Sequence, residues 1–84
     1  MEDKILITVN VPLLDEKYDI FIPINKKFGT VKKYIIDTIN ELTSNGLKNS
    51  NSMNLYDKET CRLYDSNIYV KNSDIKNGTV LVLI

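Results

Sequence analysis

The sequence predicts an α+β domain, a mixed sheet of four to five strands with one helix packed across one face. Three observations carry that expectation. Two stretches near the start alternate apolar and polar residues with period two. A middle stretch switches to a helical period, and the last residues form a β-branched and aliphatic run.

In the first stretch Ile5, Ile7, Val9 and Val11 alternate with Leu6, Thr8 and Asn10, as in a half-buried strand. Pro12 to Lys17 interrupts the pattern with turn-forming residues. A second strand follows, in which Tyr18, Ile20, Ile22 and Ile24 alternate with Asp19, Phe21 and Pro23. Pro23 has no N–H to give to a ladder, which places this strand at a sheet edge. The two strands make a hairpin.

From Thr30 the period changes. Val31, Tyr34, Ile35, Thr38, Ile39 and Leu42 form one helical stripe, to be buried against the sheet. Thr30 is the expected N-cap and Asn45-Gly46 the expected stop. Lys32, Lys33, Asp37, Asn40 and Glu41 take the opposite face, and Ile36 falls among them.

Lys48 to Ser52 reads as a polar loop. Met53 and Leu55 are expected inward on a short strand, with Asn54 and Tyr56 on its other side. Asp57 to Thr60 is a turn, Cys61 to Tyr64 a candidate brief strand, and the following irregular segment should bury Ile68, Val70 and Ile75. Asn77-Gly78-Thr79 fits a glycosylation sequon, but no secretory context accompanies it, so it reads as a tight turn. Val80 to Ile84 then closes the sheet. Being apolar on both faces, this strand belongs at the centre, parallel to the first. The resulting order is second, first, last, third, which describes a β-grasp domain spanning residues 1–84.

Composition excludes several functions. Lys plus Arg and Asp plus Glu are 11 each, so the chain has no electrostatic footprint for nucleic acid or an anionic membrane. There is no His, and Cys61 is the single cysteine, which argues against general-base catalysis, a disulfide or a thiolate metal site. No cofactor is expected. Neither a membrane-length apolar stretch nor a signal peptide is present, so a cytoplasmic, non-enzymatic domain is expected.

The order of elements resembles ubiquitin over essentially the whole chain. "VKKYIID" at Val31 to Asp37 and "DIKNGTVLVLI" at the end are similar to the bacterial YukD/EsaB family of ubiquitin-like proteins, associated with type VII secretion in Gram-positive bacteria. The resemblance implies an adaptor acting through protein contacts, with a cytoplasmic or membrane-associated component of a secretion complex as partner. Conjugated modifiers and sulfur carriers need a flexible Gly-Gly tail to enter an adenylating enzyme. Here the sequence ends in strand-like residues at Ile84, so conjugation is not expected. The alternative is a sulfur carrier or modifier whose tail is missing from this chain.

The binding surface follows from the expected register. If Val80, Val82 and Ile84 face the helix, then Leu81 and Leu83 join Leu6, Phe21 and Tyr56 on the open face of the sheet, the face through which ubiquitin binds most partners. Five such side chains approach the size of an interaction patch. Lys32, Lys33 and Ile36 form a smaller basic-apolar spot for a secondary contact. Cys61 has no base to activate it and reads as a small structural residue.

Overall fold

Strand β1 (Lys4–Val11) and strand β2 (Glu16–Pro23) pair antiparallel from Lys4↔Pro23 to Val11↔Glu16. A one-turn 3₁₀ helix at Pro12–Leu14 joins them, and Asp15 adopts a left-handed conformation to close the turn. The computed structural model describes residues 3–47 and 52–84. Most of the expected polar loop, 48–51, lies outside the described residues.

Helix α1 (Phe28–Thr43) begins two residues before the expected Thr30 cap. Lys27 occupies the N-cap position without a side-chain cap. The Phe28 and Gly29 N–H groups donate instead to the Ile68 and Ser66 carbonyls, at 2.9 and 3.0 Å. Tertiary partners therefore replace the local hydroxyl that helix starts usually recruit. The helix ends when Ser44 and Asn45 turn left-handed, each donating its N–H to the Asn40 carbonyl. Gly46 is needed for a different reason than the expected stop. A Cβ there would lie 2.7 Å from Thr43 Oγ1, the group that accepts the Gly46 N–H.

Strand β3 (Leu55–Asp57) and strand β4 (Val80–Leu83) complete a four-stranded sheet of order β2-β1-β4-β3. β4 runs parallel to β1 and antiparallel to β3, and β2 with its Pro23 is an edge strand, all as expected. Cys61 to Tyr64 supplies only an isolated bridge, Tyr56↔Leu63.

The core lies between the helix and one face of the sheet. Ile7, Val9, Val11, Ile20, Ile22 and Leu55 enter it as their alternation predicts. Three expectations are corrected. Leu81 and Leu83 are completely buried, so β4 has the reverse of the expected facing. The buried helix stripe is Phe28, Val31, Ile35, Ile36 and Ile39, while Tyr34 and Leu42 are exposed. Ile36 belongs to the same buried cluster as Leu47 and Met53. Of the irregular segment, Val70 is buried and Ile75 packs on the core, but Ile68 is exposed.

Candidate protein-interaction surface

The sheet's open face is built by the odd-and-even rule of strands applied to the observed register. Across β2 and β1, Phe21 lies opposite Leu6, Asp19 opposite Thr8, and Lys17 opposite Asn10. Across β1 and β4, Thr8 neighbours Val80 and Asn10 neighbours Val82, which in turn faces Tyr56 of β3. Ile84 continues this row. Its backbone exchanges two hydrogen bonds with Asn54, at 2.7 and 3.1 Å, and its side chain is 55% exposed.

Of the five residues expected here, Leu6, Phe21 and Tyr56 are on the open face. Leu81 and Leu83 are not; Val80, Val82 and Ile84, expected to face the helix, take their place. The reason is the parallel register: buried Val9 pairs with Leu81, so the leucines share the core side. Little in the sequence distinguishes the two sets, since Val-Leu-Val-Leu-Ile is apolar in both phases. The one available signal was bulk, because the larger leucines fill the core.

The face is also not one continuous band. Thr8 Oγ1 donates to Asp19 Oδ1 at 2.7 Å, placing a polar pair between Leu6–Phe21 and the Val80–Val82–Tyr56–Ile84 group. Asn10 sits beside Val82 with its Oδ1 buried and, among the described residues, without a hydrogen-bond partner. A buried acceptor left open is costly to the fold.

The expected secondary spot on the helix dissolves. Ile36 is buried, and Lys33 pairs with Asp37 at 3.3 Å one turn away, leaving Lys32 half-buried beside them. Cys61 is exposed, in a left-handed conformation at the end of the Asp57 turn.

That turn is held by Asp57, whose Oδ1 accepts from the Glu59 and Thr60 N–H groups at 2.8 and 3.0 Å. Its Oδ2 accepts from the Tyr64 hydroxyl at 3.1 Å, and the Tyr64 ring stacks on Phe28 at 4.5 Å. The hydrogen bond from the Thr60 amide, opposed by burial and helped by those from Tyr64 and Glu59, lowers the Asp57 carboxyl below its ordinary value. Burial, with the hydrogen bond to Asp57, pushes the Tyr64 phenol well above its usual range. These two groups have a structural explanation in the turn itself.

Against solved structures, the chain matches the ubiquitin-like domain of the Mycobacterium tuberculosis type VII secretion protein ECCD1. The TM-score is 0.71 at 10% identity, over 98% of each chain. The fold is ubiquitin-like. A chain of the MycP5-free ESX-5 inner membrane complex matches with TM-score 0.78 at 11% identity, over 96% of this chain but only 20% of that one. The N-terminal ubiquitin-like domain of the 4931431F19Rik protein matches with TM-score 0.71 at 15% identity, over 100% of this chain and 76% of that one. Compared with family profiles and with curated proteins, the sequence matches none. Among the described residues of this ubiquitin-like domain, no helix is long and apolar enough to cross a membrane.

Proposed function

We propose that this domain is a non-conjugated, non-catalytic adaptor of the YukD/EsaB kind, accessory to a type VII secretion system on its cytoplasmic side. One observation carries the reading. The open sheet face carries exposed Phe21 and Leu6 at one end and exposed Ile84 with half-buried Val82 and Tyr56 at the other, where a solvated sheet face would alternate to polar residues. The likeness to secretion-system ubiquitin-like domains supports the pathway, and the patch supports the mode of action.

Site-specific photocrosslinking tests the proposal. A photoreactive residue at Tyr56 should capture an inner-membrane component of the type VII complex in the native cell, and one at Glu41, on the exposed helix face, should not. Equal capture from both positions, or capture of no secretion component, would overturn the adaptor reading. Intact-mass measurement of the protein from the same cells addresses the alternative, because a modifier would appear as a covalent adduct.

A further inference from the structure

A second surface lies away from the open face, where residues 24–27 run alongside residues 69–71. The Val70 N–H donates to the Lys26 carbonyl at 2.9 Å and the Lys71 N–H to the Ile24 carbonyl at 2.8 Å, with Lys27 and Tyr69 bridged between them. This pairing holds Lys27 and Lys71 on a fixed backbone beside one aromatic ring, with Lys26 next to Lys27 in the chain. The Nζ atoms of Lys27 and Lys71 each stand 5.8 Å from the Tyr69 ring centroid. Among the described residues, no carboxylate lies within ion-pair distance of Lys26, Lys27 or Lys71.

The position makes the cluster informative. Lys27 is the N-cap of α1, and the first helical turn contains no acidic residue. Helix N-termini carry partial positive charge and are stabilised by Asp or Glu, so lysines here act against the stability of the fold. The ring relieves part of that repulsion by cation–π attraction, but leaves both ammonium groups without a counter-charge. In a chain of zero net charge, a basic point kept at an unfavourable site is best explained by what it meets.

We infer that Lys26, Lys27, Lys71 and the exposed Tyr69 form a docking point for a short acidic segment of a protein partner. Carboxylates would sit on the two ammonium groups flanking the ring. An aliphatic side chain between them would enter the adjoining groove, lined by Phe28, Leu63, Tyr64 and Ile68. The same groove is bordered by Asp65 and Asp74. An extended anionic surface, such as a membrane or a nucleic acid, would be pressed against those carboxylates, whereas a short segment avoids them.

The test uses a capped peptide of glutamates around a central leucine, titrated into the isotope-labelled protein at low salt. Saturable amide shifts are expected at Lys26 to Phe28 and Tyr69 to Lys71, with the glutamine version of the peptide inert. The double variant Lys27→Glu/Lys71→Glu should bind at least about tenfold more weakly while melting at or above the parent temperature, because acidic residues suit the helix start. Lys32→Glu/Lys33→Glu should bind as the parent does. So should Phe21→Asp, which separates this site from the open face. Shifts shared equally with Lys32 and Lys33, no saturation, or tighter binding to phosphatidylglycerol vesicles than to the peptide would each overturn the inference.

Discussion

Thr8 Oγ1 donates to Asp19 Oδ1 at 2.7 Å across the β1–β2 ladder, in the middle of the open sheet face. The pair divides the apolar residues of this face into two groups that a partner can engage separately. Leu6 and Phe21 lie on one side, and Val80, Val82, Tyr56 and Ile84 on the other.

This division makes single-site tests decisive. Phe21→Asp and Ile84→Asp each alter a side chain more than half exposed, so either should cost less than ~1 kcal/mol in chemical denaturation. Partner crosslinking at Tyr56 should fall with Ile84→Asp, its neighbour group, and fall less with Phe21→Asp. An equal fall from both would mean that the partner spans the polar pair.

Leu83 gives the contrasting case. It is wholly buried opposite Leu55, so Leu83→Ala should cost ~2–5 kcal/mol, and Leu83→Asp should abolish cooperative unfolding. Circular dichroism melts check both. A Leu83→Asp variant that melts like the parent would return the leucines to the open face.

Asp57 predicts a pH dependence. Its carboxyl is lowered in the folded state, chiefly by the Thr60 amide, so it stabilises the fold above the ordinary carboxylate range. That contribution is lost as pH falls through this range to the depressed folded value. Asp57→Asn should therefore flatten the acid limb of a melting-temperature profile, with the difference from parent largest near neutrality. An unchanged acid limb would show that other carboxylates dominate it.

Gly78 carries the turn into β4 with φ of 88°, and its N–H donates to the Leu6 carbonyl at 2.9 Å. Nothing lies within 4 Å of a Cβ placed there, so the cost of Gly78→Ala is conformational alone. It should be ~1 kcal/mol, read as a lower denaturation midpoint with unchanged slope.

The sequence by itself determined the four strands and the helix, their order and the facing of β1 and β2, though not the helix start or the fate of Cys61 to Tyr64. In those strands Ile and Val alternate with Thr, Asn, Asp and Lys, and the cost of burying the polar set leaves one solution. Pro23 likewise assigned the edge, and Asn77-Gly78 the last turn, because each follows from backbone chemistry that acts locally. Tertiary structure alone decided the facing of β4, since both of its residue sets are apolar and only the register Val9↔Leu81 selects between them. It also decided the rotation of α1. Phe28 and Ile36 are buried in place of Tyr34 and Leu42, because the core they meet is made by Leu47, Met53 and Val70 from elsewhere in the chain. The lysine pair about Tyr69 belongs to the same class. Lys27 and Lys71 are far apart in sequence, and only the pairing of two irregular segments brings their charges to one ring.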